Sequence, residues 1–280
     1  FTGCRDETGP SPIVPIVTAI ASAKGRVDIE GGVIRLAAQR DGVIAKVMVE
    51  EGARVKAGQV LATLNSELAQ RNLTLAQWEV KQAEQHHKRV RIELAAADRE
   101  FNRLESLRKD DAAPRQEIDR ARDARILAEV AVEASLAAIE TARARQAVAA
   151  REIEERKVTA PFDGQIIQRQ ARPGNGVSTL NVTPLFLFLP DVPRIIRAEV
   201  EEQYVNAVSM DQPVEILLEI DPNTRWHGRV LRIGRLVGGR TPSHDPAEKQ
   251  DNRVIEVVVT MDTTEAPLIG QRVIVRFLAS

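Results

Sequence analysis

One cysteine in 280 residues leaves no internal disulfide to staple the chain, and no paired-cysteine site for a metal or a CxxC redox reaction. Aromatic residues make up only 3%, with a single tyrosine, so the composition favours helix faces of Ala and Leu over one large globular core. Charge of one sign is missing too. Thirty-nine basic and 40 acidic side chains, interspersed along the chain, leave a net charge of −1 and no electrostatic footprint for a nucleic acid. The longest strongly apolar run, Leu185 to Leu189, is far short of the ~20 residues that cross a bilayer. No P-loop, Ser-His-Asp grouping or metal-ligand cluster emerges, so the sequence points away from an enzyme and calls for no cofactor.

What is present is an internal repeat whose two copies lie more than a hundred residues apart. In the first, Gly42 is followed by Gly52 and Val55; in the second, Gly164 is followed by Gly174 and Val177, at the same spacing. Alternating apolar residues predict short strands in each copy, and the glycines are expected at turns that need positive φ. The two copies resemble the halves of a lipoyl or biotinyl carrier domain, a flattened sandwich with quasi-twofold symmetry. Carriers present a lysine on the hairpin between the halves. Here Leu68 stands at that place and no lysine follows it until Lys81, so the carrier chemistry lacks its acceptor.

A long helical insertion replaces that hairpin. From Ser66 to about Lys109, Ala69, Ala76, Ala83, Val90, Ala97 and Leu104 recur every seven residues, interleaved with Leu73, Val80, His87, Leu94 and Phe101. After Pro114 a returning seam runs through Ile118, Arg125, Val132, Ile139, Gln146 and Ile153, interleaved with Ala121, Ala128, Ser135, Ala142 and Ala149. The seams match about a centre near Asp111, which predicts an antiparallel pair. Arms of about 43 residues at ~1.5 Å each make a rod of roughly 65 Å. His87 falls opposite Ser135, a polar pair that would fix register, whereas His86 and His87 lie about 100° apart around a helix and cannot chelate together.

Beyond Pro190-Asp191-Val192-Pro193, strand patterns at Arg194 to Val200, Val214 to Ile220, Gly228 to Ile233, Arg253 to Met261 and Arg272 to Leu278 predict a small antiparallel barrel, with a short helix near Glu201 to Val208. Gly238 to Asp251 reads as a loop between two of these strands. Arg26 to Glu30 is expected to join the barrel. The fold class is therefore α+β: a long antiparallel helical hairpin (67–156) inserted into a split lipoyl-like sandwich (33–66 and 157–190), beside a barrel (26–32 and 191–280). Residues 1–25 are expected to form a tether or to add a membrane-proximal strand. Phe1-Thr2-Gly3-Cys4 resembles the end of a bacterial lipoprotein signal, which makes Cys4 either a lipidation site or an incidental thiol.

This nesting of barrel, sandwich and hairpin resembles the haemolysin D-like periplasmic adaptor, or membrane fusion, family over roughly residues 26–279, with Lys157-Val158-Thr159-Ala160-Pro161-Phe162-Asp163-Gly164 similar to its signature. The resemblance implies a subunit held at the inner membrane, assembled into a ring, usually hexameric, that joins an inner-membrane transporter to a TolC-type outer-membrane channel. Gly228-Arg229-Val230 and Arg253-Val254-Ile255-Glu256-Val257 look similar to adaptors of ABC exporters, though adaptors of proton-driven pumps share this barrel. The family's channel-binding motif at the hairpin tip is an arginine, a leucine four later and a serine seven beyond. Arg103 and Leu107 match it and Pro114 departs from it. The alternative reading makes Arg103 and Leu107 ordinary helix-surface and seam-edge residues, and a passive coiled-coil scaffold is the rival function.

Overall fold

The computed structural model describes residues 19–108, 114–239, 253–262 and 267–279. They form two compact units, one spanning Ile34–Pro190 and the other the rest of the described chain.

In the first unit, β2 (Ile34–Ala37), β9 (Pro184–Pro190), β7 (Gly164–Arg169) and β4 (Arg54–Val55) make one four-stranded sheet in the order β2-β9-β7-β4. The second sheet holds β6 (Lys157–Thr159), β5 (Val60–Leu64), β3 (Gly42–Val47) and β8 (Gly176–Val177), in the order β6-β5-β3-β8. Ile44, Leu61, Leu64, Ile166, Phe186 and Phe188 fill the space between them, each at most 1% exposed. Such a sandwich is held by apolar burial from both inner faces.

The two halves exchange equivalent bonds. Gly42 pairs with Val177, and Gly164 pairs with Val55. The Gly52 N–H donates to the Ile166 carbonyl at 2.8 Å, and the Gly174 N–H donates to the Ile44 carbonyl at the same distance. Gly52 and Gly174 sit at φ +85° and +88°, where a Cβ is disfavoured. Gly164 differs from the expected positive-φ turn. Its backbone is an ordinary strand, and glycine is needed because a Cβ would run into the Leu189 carbonyl oxygen and the Phe188 ring.

Between the halves, α1 (Glu67–Leu107) and α2 (Arg115–Glu154) run antiparallel. Forty-one residues at ~1.5 Å each make α1 about 60 Å long. The heptad positions face inward: Ala69, Ala76, Val90 and Leu104 are buried on α1, and Ile118, Ser135, Ile139 and Ala142 on α2. His87 Nδ1 lies 2.7 Å from Ser135 Oγ. Ser135 gives its one proton to the Val132 carbonyl at 2.6 Å, so it accepts from His87 Nδ1–H. The Asp111 centre of the turn lies outside the described residues. On the far side of it, the Pro114 carbonyl accepts from the Glu117 and Ile118 N–H groups and starts α2.

The second unit is a closed six-stranded barrel of β1 (Ala19–Ile29), β10 (Arg194–Glu201), β13 (Arg253–Thr260), β12 (Asp221–Gly239), β11 (Pro213–Leu218) and β14 (Arg272–Leu278). Val27, Ile196, Val230, Val257, Val275 and Phe277 are buried in its core. Closure removes the free edges that β-sheets otherwise expose. A single 3-10 segment, Glu202–Ala207, stands where the sequence predicts a short helix. β1 begins at Ala19, seven residues before the expected Arg26, because Ala21 and Ala23 alternate inward and pair along β14. β12 is also longer than the expected Gly228 to Ile233. The loop expected from Gly238 to Asp251 lies mostly outside the described residues.

Candidate docking site at the hairpin tip

The last turns of α1 carry Arg103 and Leu107 on one arm, and Pro114 precedes α2 on the other. Leu104 and Ile118 are buried and close the seam just behind them. Leu107 is the final helical residue of α1 and only half-buried, while Pro114 is exposed.

Arg103 does not point into solvent unpaired. Its Nε and Nη2 bind the two carboxylate oxygens of Glu100 at 2.9 and 2.7 Å, in the bidentate geometry that suits a guanidinium. The hydrogen bond from Arg103 lowers the Glu100 carboxyl below its ordinary value, and the same bond, helped by the nearby charge of Glu117 on α2, raises Arg103. Both groups are exposed, so this pair orients the guanidinium more than it stabilises the fold. The Ser106 hydroxyl donates to the Arg103 carbonyl at 2.6 Å. A partner approaching the tip therefore meets a guanidinium already held by Glu100 beside a half-covered leucine.

One feature of the tip escapes the heptad pattern. The sequence places Arg125 in the seam at an apolar position, and the structure explains how a charge survives there. Its guanidinium stacks 5.3 Å from the centre of the Phe101 ring and reaches Asp98 at 3.9 Å, and Arg122 lies 5.9 Å from the same ring. Phe101 and Arg125 stand about one turn apart in height on facing arms, a distance that both long side chains span.

Cys4 lies outside the described residues. Leu68, at the place of the carrier lysine, is an exposed residue in the first turn of α1 and no hairpin tip exists there. Among the described residues no group of three or more His, Cys, Asp or Glu side chains could hold a metal, and no helix is long and apolar enough to cross a membrane.

A sandwich of two interlocked half-motifs with a helical hairpin inserted between them defines a barrel-sandwich hybrid. The chain belongs to the CzcB-like, barrel-sandwich hybrid domain family, whose family model matches residues 32–183. The fatty acid resistance protein FarA of Neisseria gonorrhoeae is 25% identical over 268 residues, covering 82% of this chain and 66% of FarA. The macrolide export protein MacA of Yersinia pestis is 26% identical over 196 residues, covering 70% of this chain and 53% of that protein. The chain spans about a third to two thirds of the length of the curated relatives it matches. Among solved structures, MacA from Actinobacillus actinomycetemcomitans aligns with a TM-score of 0.79 at 20% identity, over 92% of this chain and 79% of that one. The two share a fold.

Proposed function

We propose that this chain is a periplasmic adaptor: a non-catalytic subunit, anchored at the inner membrane and self-assembled into a ring, hexameric in the family it resembles. It couples an inner-membrane transporter to a TolC-type outer-membrane channel for export of small molecules or peptides. Among transporters an ABC exporter is favoured over a proton-driven pump. The observation that carries this reading is the insertion of a ~60 Å hairpin into the sandwich, at the place where a carrier presents its lysine. A carrier needs a short loop and a nucleophile there; a coupling protein needs reach. The relatives' names, a fatty acid resistance protein and a macrolide export protein, support an export role.

In this reading Arg103, Leu107 and Pro114 face the channel, with Glu100 keeping the guanidinium in one orientation. Cys4 supplies the lipid anchor. Crosslinking the chain in intact cells, followed by identification of the captured proteins, tests the proposal. Capture of one inner-membrane transporter and one outer-membrane channel is expected. Capture of neither, with the chain still associated with the envelope, would favour the scaffold.

A further inference from the structure

Tight packing along the hairpin seam is interrupted once. With His87 level with Ser135, Val90 faces Val132, Leu94 faces Ala128, Ala97 faces Arg125, Phe101 faces Ala121 and Leu104 faces Ile118. From the base of the hairpin to Val90 a buried residue occurs on one arm or the other at least every seven residues: Ala69, Ala76, Ala142, Ile139, Ser135 and Val90. The outermost of these layers, Leu104 on Ile118, is buried again, at 7% and 3% exposure. Among the described residues the stretch between these two levels, 91–103 on α1 and 119–131 on α2, buries none. It is about 20 Å long at ~1.5 Å per residue.

The residues themselves account for the gap. Ala97, Ala121 and Ala128 are small, and Arg125 is the one residue with a permanent charge in the seam between Ile118 and Ile153. What joins the arms here is weak. The Arg125 guanidinium lies 5.3 Å from the centre of the Phe101 ring, a contact worth little at a partly exposed site, and Asp98 at 3.9 Å is beyond hydrogen-bond reach. Its Nε is covered from solvent and gives its proton to no acceptor among the described residues. An apolar side chain at such a place commonly holds a packed seam better. The chain therefore keeps, just behind its tip, a residue that loosens the seam.

We infer that the layers of Ala97 with Arg125 and Phe101 with Ala121 form a joint in the hairpin, where the arms part transiently while the clasp of Leu104 on Ile118 keeps the tip together. The inference rests on the reading of the tip as a docking site and adds the means by which the tip aligns. Most of a helix's stability in a protein comes from packing of its apolar face, so arms that part here also lose backbone hydrogen bonds. Local opening of this kind belongs to segments with few buried apolar contacts. The seam from the base to Val90 holds the reach of the rod, and the joint lets Arg103 and Leu107 turn together toward their contacts.

Hydrogen exchange of the full chain, read by mass spectrometry, tests the joint without any partner. Segments 94–101 and 121–128 should exchange about tenfold faster than 76–90 and 132–146. Arg125→Leu should slow both outer segments by about tenfold, whereas Arg125→Lys, which keeps a charge in the seam, should leave them fast. Circular dichroism should show parental helix content in both variants. Crosslinking in intact cells then reads docking: Arg125→Leu should capture several-fold less outer-membrane channel than the parent, and Arg125→Lys about as much. Outer segments that exchange no faster than the inner ones, or that Arg125→Leu does not slow, would overturn the joint. Slowed exchange with undiminished capture would overturn its part in docking. Equal loss of capture in both variants would make Arg125 itself a channel contact and overturn the joint's role. A parent chain that captures no channel, with the exchange pattern intact, would overturn the docking reading and leave the joint as a property of the rod.

Discussion

Arg40 grips Glu155 through Nε at 2.8 Å and Nη2 at 2.7 Å, both on the same carboxylate oxygen, Oε2. Glu155 is the residue that ends α2, and Arg151 takes its other oxygen at 3.2 Å. The next residue, Asp41, accepts from the backbone and hydroxyl of Thr179. Two adjacent side chains thus tie the base of the hairpin and a loop of the sandwich to the same strand connection.

The hydrogen bond from Arg40, with that from Arg151, holds the Glu155 carboxyl below the ordinary glutamate value; the Thr179 backbone and side-chain bonds do the same for Asp41. A depressed carboxylate favours the fold above its unfolded pKa, and that contribution is lost as pH falls through the lowered folded value. Hydrogen exchange in the last turn of α2 and around Thr179 should therefore quicken selectively below the ordinary carboxylate range. Arg40→Ala should quicken exchange at the end of α2 already at neutral pH, with little change in melting temperature because the pair is exposed. Unchanged exchange at the hairpin base in the variant would show that the clamp does not hold it.

Gly164 and Gly52 are both glycines of the repeat, at its first and second positions, and should respond differently to alanine. At Gly164 the new methyl meets the Leu189 carbonyl oxygen, which cannot move without breaking the β7–β9 pairing, so Gly164→Ala should cost about 3 kcal/mol, at the upper end for overpacking. At Gly52 nothing lies within reach of a Cβ, and only the positive φ is strained, so Gly52→Ala should cost about 1 kcal/mol. Urea unfolding of the two variants against the parent measures the order.

Ser135→Ala leaves the His87 Nδ1–H without its acceptor in the seam and should destabilise the hairpin by about 1 kcal/mol. Replacing both, His87→Leu with Ser135→Ala, should recover that loss, since an apolar pair needs no partner. Far-UV circular dichroism melting of the single and double variants checks the order. If the double variant melts below the single one, the histidine packs as well as bonds.

How much of this was legible beforehand follows the physics of each feature. The interlocked half-motifs could be read because Gly52 and Gly174 answer to backbone geometry, which leaves a spacing behind in the sequence. The hairpin could be read because burial of Ala76, Val90 or Ile139 recurs with the helix. The start of β1 was missed because Ala21 and Ala23 are too small to announce an inward face. Much of β12 was missed because its ends are mostly exposed, with Val230 and its neighbours giving the only clear apolar signal. The Phe101–Arg125 stack, the Arg40–Glu155 clamp and the Glu100 hold on Arg103 depend on where side chains meet, and residue type alone does not reveal that. The tip motif was visible as a spacing, but the carboxylate that orients its arginine was not.

The proposal that Cys4 carries a lipid anchor has its own test. Expressed from the full precursor, Cys4→Ser should release the chain into the soluble periplasm, since one acyl chain binds a bilayer only marginally and several hold it firmly. Membrane fractionation in cells lacking the transporter reads the outcome, and retention of the variant would place the anchor elsewhere.

The account stands or falls on whether the hairpin tip recognises a channel. Leu107→Asp puts a charge into the half-buried leucine contact, and an unpaired charge buried at a docking surface costs several kcal/mol. The residue ends α1, so folding should lose far less than docking. The measurement is recovery of an outer-membrane channel and an inner-membrane transporter with the crosslinked chain from intact cells, for Leu107→Asp and for the seam variant Ala76→Asp with Ala83→Asp. Leu107→Asp should lose the channel while keeping the transporter and normal helix content, whereas the seam variant should unfold the rod. If Leu107→Asp still recovers the channel and only the seam variant loses it, the hairpin is a spacer and the docking claim is contradicted.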